Sequence, residues 1–181
     1  MLSKLKIFLF IPLLAILFLS GCVNSVRKRG GYSGQTVETT FSGTCVKVSD
    51  GDTIRVLHDD IEEKIRLYGI DAPELTQKDG EAAKDFMRKM VYEKNVTVHV
   101  QEKDRYGRLV SEVTVNGKNL SLEIVKVGWA WFEKKYSTDS FLEEAEKEAR
   151  EKRLGIWRAN YVQPPWDYRA DQKKHRKKPS S

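Results

Sequence analysis

Three runs rich in Val, Ile, Thr and Phe, residues 39–49, 53–58 and 64–70, are separated only by turns at Asp50-Gly51-Asp52 and around Asp59-Asp60. Short β-prone runs around such turns read as strands. Strands joined by turns this short lie antiparallel. In the third run Ile65, Leu67 and Gly69 alternate with Arg66, Tyr68 and Ile70, and the run stops at Ala72-Pro73. Proline has no N–H and disfavours helix at the residue before it, so the strand breaks where Asp71 leaves it. The folded part therefore opens as a meander whose third strand delivers Arg66, Asp71 and Glu74 within nine residues.

The rest of the chain follows a different period. Ala82, Ala83, Phe86, Met87, Met90 and Val91 recur at i, i+3, i+4 spacing, which predicts a helix with Asp79 as its N-cap. Val96, Val98 and Val100 alternate with polar residues, and residues 109–115 return after the turn Asp104-Arg105-Tyr106-Gly107. A short helix is expected over 120–127, capped by Gly128, and a longer one over 138–153 with Phe141, Leu142, Ala145 and Ala149 inward. Trp157 and Pro164-Pro165-Trp166 are expected to form an irregular aromatic segment. Trp129 and Trp131 are two apart in a strand-like stretch, which places at least one of them in the core. The order is three strands, helix, two strands, two helices. It points to an α+β, mainly β fold: a five-stranded OB-type antiparallel barrel with about three helices. The strands come too early, and the helices too late, for a doubly wound sheet.

The chain's 181 residues allow one such domain, read here as 38–167. Residues 1–21 read as a signal peptide: Lys4 and Lys6 precede an apolar run that is broken by Pro12 and ends in Leu19-Ser20-Gly21-Cys22. Those four residues resemble the lipobox of bacterial lipoproteins, which implies a lipidated Cys22 and a tether over 22–37. An uncleaved anchor helix is the alternative, and both readings export the domain and leave it held at a membrane of the envelope. Cys45 is then the one remaining cysteine, which excludes a disulfide framework or a cysteine-based zinc site. The formal charge of +6 becomes +4 once Lys4 and Lys6 are removed. The surplus gathers in a basic tail over 168–181, either a polyanion-binding segment or a solvated tail.

Asp52, in the first hairpin turn, and Asp71, at the end of the third strand, fall at one edge of a meander, where two carboxylates can hold one hard divalent cation. His58, His99 and His175 have no zinc spacing. Cation, acid and guanidinium together suit hydrolysis of a phosphodiester, since charge grows on the phosphoryl oxygens as a fifth oxygen joins phosphorus. Arg66 and Arg108 are the candidate guanidiniums, whose planar fork matches two phosphate oxygens. Glu74 is the candidate base or water-positioning group.

Asp50-Gly51-Asp52-Thr53, the stretch from Arg66 to Glu74, and Asp104-Arg105-Tyr106-Gly107-Arg108 resemble the three motifs of the thermonuclease family, whose prototype is staphylococcal nuclease. Leu154-Gly155-Ile156-Trp157 is similar too, and the resemblance spans about residues 41–166. It implies Ca²⁺ held by Asp52, Asp71 and the backbone carbonyl of Ala72, with Asp50 behind them orienting a water. It implies Glu74 as base, Arg66 and Arg108 as phosphate clamps, and nucleic-acid contacts from Arg105, Tyr106 and Tyr136. The expected reaction is hydrolysis of DNA, and of RNA, by a monomer, leaving 3′-phosphate and 5′-hydroxyl ends. The alternative is a noncatalytic lipoprotein whose barrel binds nucleic acid or protein, and the retention of every charged motif position argues for catalysis. Replacing Arg66 or Glu74 by alanine is expected to stop turnover and leave the fold intact. The loop between Glu74 and the first helix, and the segment before the last helix, are shorter than the prototype's.

Overall fold

The computed structural model describes residues 39–177. The signal segment, Cys22 and the tether lie outside the described residues. The strands are β1 (Thr39–Val48), β2 (Thr53–His58), β3 (Ile61–Leu67), β4 (Ile70–Asp71), β5 (Asn95–Lys103), β6 (Leu109–Val115), β7 (Lys118–Asn119) and β8 (Trp131–Phe132). The helices are α1 (Gly80–Val91), α2 (Leu120–Lys126), α3 (Ser140–Glu151) and α4 (Pro165–Lys177), with a 3₁₀ turn at Gly155–Arg158.

The main sheet runs β3-β2-β1-β5-β6-β7 and closes through a further pairing of β3 with β6. The meander pairs antiparallel as expected, with Ile54 opposite Ile65 and Val48 opposite Ile54. The closing pair is parallel, setting Arg66 beside Val110 and Leu67 beside Ser111. This five-stranded barrel is therefore mixed, where the sequence predicts antiparallel pairs throughout. Alternation along each strand dictates local partners only, while closure depends on where β6 arrives after α1 and β5 have intervened. Register shifts at Cys45/Lys47 in β1 and Val100/Glu102 in β5 accompany the closure. A bulge bends its strand and increases the local twist, which is what a small barrel requires.

Ile54, Val56, Ile65, Leu67, Val96, Val98 and Val113 are fully buried in the core. Met87 and Val91 of α1 and Ile124 and Val125 of α2 belong to the same cluster. Asn119 caps α2 by accepting from the Leu122 N–H at 3.1 Å, and Asp139 caps α3 by accepting from Phe141 N–H at 2.8 Å. Trp131 is buried and Trp129 packs against the core from its edge.

One irregularity is as strand geometry requires, and one helix is new. Arg66 and Asp71 can reach one phosphate only if the chain twists or bulges near Tyr68-Gly69. The third strand does end at Leu67, turns at Tyr68-Gly69 and resumes as β4, which leaves the barrel to pair with β8. The segment read as irregular aromatic followed by a basic tail contains α4, a fourth helix beside the three expected. Pro165 opens it, a position where proline's missing N–H costs nothing and its fixed φ is already helical.

Candidate active site

The turn at Tyr68-Gly69 is fastened on both sides. Tyr68 N–H donates to Ser111 O at 2.9 Å, the Ser121 hydroxyl donates to Tyr68 O at 2.9 Å, and Glu133 N–H donates to Gly69 O at 2.9 Å. Gly69 has φ of +76°, a region costly to residues with a Cβ. The reversal is what brings Asp71 back to Arg66. Five residues apart on a regular strand they would face opposite sides. Here Arg66 Nη2 donates to Asp71 Oδ1 at 2.9 Å.

Arg66 also joins Asp71 to the first hairpin, since its Nη1 lies 2.9 Å from Asp52 Oδ2. The same Asp52 oxygen accepts from Ala72 N–H at 2.7 Å, and Asp52 Oδ1 accepts from the Thr53 hydroxyl at 3.0 Å. Asp50 stands behind, its Oδ1 accepting from Asp52 N–H at 3.0 Å. Gly51 explains how two acidic turns can sit this close. A Cβ there would lie 2.7 Å from Ala72 Cβ and 2.9 Å from Ala83 Cβ, so the hairpin tip packs flush against the residue after β4 and against α1. Burial pushes the Asp52 carboxyl up to about 6, with the Asp50 charge adding to it and Arg66 opposing.

Arg108 is held by its own turn. Asp104 Oδ1 accepts from the N–H groups of Tyr106 and Arg108, and Asp104 Oδ2 accepts from Arg108 Nε at 2.7 Å. Burial opposes the charged form of Asp104, but these donors outweigh it and hold the carboxyl below its ordinary range. Arg105 Nη2 donates to the Tyr106 hydroxyl at 2.8 Å, with its guanidinium over the exposed Tyr106 ring. Tyr136 is exposed, and its carbonyl accepts from the Tyr68 hydroxyl at 2.7 Å.

An open cleft of about 1310 Å³ collects these groups. Asp50, Asp52, Arg66, Asp71, Ala72 and Glu74 line it, as do Arg105, Tyr106, Arg108 and Tyr136. The ten residues that the resemblance assigns to metal, phosphate, base and nucleotide thus line one space. Asp52, Arg66, Asp71 and Ala72 are in direct contact, whereas among the described residues Arg108 bonds within its own turn.

Sequence reasoning missed what links Glu74 to that group. Arg169 of α4 donates from Nη1 to Glu74 Oε1 at 2.8 Å and to Asp71 Oδ1 at 3.2 Å, and from Nη2 to Asp71 Oδ2 at 2.7 Å. Asp71, and then Glu74, push the guanidinium further above its ordinary range despite its partial burial. Lys173, one turn on, lines the cleft as well. The usable signal was Pro164-Pro165 ahead of basic residues at i,i+4 spacing, a helix start followed by a one-sided charge row.

Among the described residues no three His, Cys, Asp or Glu side chains are grouped to hold a metal ion. Asp52 and Asp71 nevertheless offer oxygen donors only, the chemistry that a hard cation takes. Asp52 in particular is buried, and that burial, with the Asp50 charge beside it, raises its carboxyl against the pull of Arg66, so an added cation would favour its charged form. The residues present fit a Ca²⁺ ion on those terms.

Comparison with known proteins identifies the family. Residues 64–159, just over half of the chain, match the family model described as staphylococcal nuclease homologue. An uncharacterized endonuclease of Escherichia coli O157:H7 is 40% identical over 139 residues, covering 76% of this chain and 91% of the relative. A Haemophilus influenzae uncharacterized endonuclease is 40% identical over 133 residues, 72% of this chain and 75% of its own length. A micrococcal nuclease of Shigella flexneri is 37% identical over 140 residues, 71% of this chain and 80% of its own. The chain belongs to the staphylococcal nuclease homologue family.

Proposed function

We propose that this protein is a calcium-dependent nuclease that hydrolyses DNA and RNA to 3′-phosphate and 5′-hydroxyl ends, exported and lipid-anchored through Cys22. The observation that carries the reading is the Arg66 guanidinium bridging Asp52 and Asp71 in a cleft that Glu74 and Arg108 also line. Relatives named endonuclease and micrococcal nuclease support nuclease chemistry, and this arrangement supports a working site in this member.

Asp52, Asp71 and the Ala72 carbonyl would hold Ca²⁺, which when bound supplies positive charge to the phosphoryl oxygens. The chain's own residues account for the rest. Glu74 is partly exposed at the cleft, so its carboxylate meets water and can take a proton from the attacking molecule. The new bond forms between that water's oxygen and phosphorus, and the bond to the 5′ oxygen breaks. That oxygen takes a proton from solvent and leaves as the 5′-hydroxyl, and the phosphate stays on the 3′ side. Arg66 and Arg108 face the charge growing on the equatorial oxygens, and each guanidinium can offer two parallel donors. Tyr106 and Tyr136, exposed at the rim, offer rings on which unpaired bases stack, and such stacking tolerates any base.

The test is degradation of single-stranded DNA and RNA by the purified protein in millimolar Ca²⁺ against EGTA, with end-group analysis. Calcium-dependent loss of substrate with 3′-phosphate ends is expected, and thermal unfolding should shift upward in Ca²⁺ because the ion binds only the folded chain. Equal cleavage in EGTA would remove the metal from the reading, and no cleavage would leave a binding barrel. For the anchor, Cys22→Ser should release the protein from the membrane fraction. Continued retention would favour an uncleaved helix.

A further inference from the structure

Helix α4 is docked beside the acidic loop by specific contacts. The Tyr168 hydroxyl donates to Thr76 O at 3.1 Å and lies 3.0 Å from Thr76 Oγ1. Gln77 Nε2 donates to Gln163 O at 2.6 Å, and Gln163 Nε2 donates to Asp171 Oδ2 at 2.9 Å. Trp166 sets an edge against Trp131, with ring centroids 6.3 Å apart. Gln77 itself belongs to the turn after Glu74, its N–H donating to Glu74 O at 2.8 Å. The first half of the helix and the loop that carries Glu74 are thus stitched together, and Arg169 and Lys173 come to line the cleft.

We propose that α4 is a wall of the substrate groove, and that Arg169 and Lys173 bind phosphates of the single strand next to the one being cleaved. The inference rests on the nuclease reading for what occupies the groove. Arg169 already touches Asp71 and Glu74, the carboxylates closest to the chemistry, so an anion seated there comes within reach of its guanidinium. Its Nε–H has no protein partner among the described residues, which leaves donor capacity unused. Lys173 decides between a groove and a plug. A guanidinium that merely filled an empty acidic site would need no second cation, yet Lys173 extends the charge one turn along the cleft and has no carboxylate partner among the described residues. Two cations at i,i+4 on one face form a row, and a row matches a chain of phosphates. Phosphate contacts of this kind set position and affinity and carry no sequence information.

Binding of a fluorescein-labelled oligothymidylate to full-length protein, followed by anisotropy in EGTA over a series of salt concentrations, separates the possibilities. Each lost phosphate contact on a single strand should reduce the slope of log affinity against log salt by about 0.7, equivalent to roughly fourfold weaker binding at 0.15 M salt. Lys173→Gln breaks no ion pair, so it should show this loss with unchanged thermal unfolding. Arg169→Gln should show it too, and Arg169→Lys should restore the slope. In Ca²⁺, both Gln variants should raise KM more than they lower kcat. Unchanged slopes and KM in a cleaving enzyme overturn the inference while leaving the nuclease reading standing. Faster cleavage by Arg169→Gln with an unchanged slope would make the residue a plug and likewise overturn it. Wild-type protein that binds with the expected slope but never cleaves would sink the nuclease reading and keep α4 as a binding wall.

Discussion

Arg66 and Asp71 lie five residues apart in one stretch of chain and still close an ion pair of 2.9 Å across the cleft. The pair exists because the strand folds back at Tyr68-Gly69. Alanine at Gly69 would hold a Cβ-bearing residue at φ +76° and place that Cβ 2.9 Å from Leu142 Cδ1 and 3.1 Å from Ser137 Cβ. Left-handed backbone with a Cβ costs about 1–2 kcal/mol, and the crowding adds to it. Gly69→Ala is therefore expected to lower the urea midpoint. It should also cut cleavage by about two orders of magnitude through displacement of Asp71, since misplacement near 1 Å costs that much. A variant with a lower midpoint and full activity would uncouple the turn from the site.

Arg66 has a second duty that a reading of motifs alone does not foresee. Its guanidinium is the charge between two nearly water-free carboxylates, with Asp52 and Asp71 side chains only 9% and 3% exposed. Asp71 keeps Arg169, but removing Arg66 leaves the buried Asp52 carboxylate without its cation, at a cost of about 3 kcal/mol. Arg66→Ala should thus lose stability along with turnover, contrary to the expectation that the fold would be indifferent. Denaturation in EGTA reads the cost. In Ca²⁺ part of it should return, because the cation would take over the same carboxylates. An unchanged midpoint in EGTA would show that Asp52 is neutral in the fold.

These two residues also mark how far a sequence can be read. Asp52, Asp71 and Arg108 were legible because each sits at a turn whose chemistry is local: a hairpin tip, a strand end before proline, a glycine reversal. Arg66 was legible from the alternation of the strand that leads to Asp71. The need for an irregularity at Tyr68-Gly69 followed from strand geometry too. The parallel β3–β6 closure was not legible, since no alternation pattern says which non-neighbouring strands meet. Nor was Arg169's place. Its partners are 98 and 95 residues away, and what brings it to them is the docking of Tyr168 and Gln163 against the 73–79 loop. Composition showed only that the segment was basic.

Glu74 differs from Arg66 in what its loss should do. Its side chain is 39% exposed and bonded to Arg169, which itself faces solvent, so the pair adds little to stability. Glu74→Gln keeps the size and removes the base. The expected outcome is a loss of kcat of about 10²–10⁴ with an unfolding midpoint close to wild type. A large drop in midpoint with little loss of kcat would assign Glu74 to the docking of α4 instead of to catalysis.

Cys45 offers a check on the barrel interior that is independent of the cleft. Its side chain is fully buried in the core and its thiol donates to Lys47 O at 3.6 Å. Burial pushes the thiol up from 9.0 to about 11, outweighing the backbone contact that favours the thiolate. The thiolate is the reactive form, so Cys45 should resist a disulfide exchange reagent at pH 8 in native protein and react fully in guanidinium chloride. The same shift sets a direction for stability. The folded chain binds the thiol proton more tightly than the unfolded chain does, so this contribution is complete below pH 9 and is lost as pH rises toward 11. Cys45→Ala should flatten that part of the alkaline loss of stability while leaving a small cavity in the core beside its strand partner Val56. Rapid labelling of native protein at pH 8 would mean that the β1–β5 seam opens far more readily than its unbroken pairing from Thr39 to Thr44 implies.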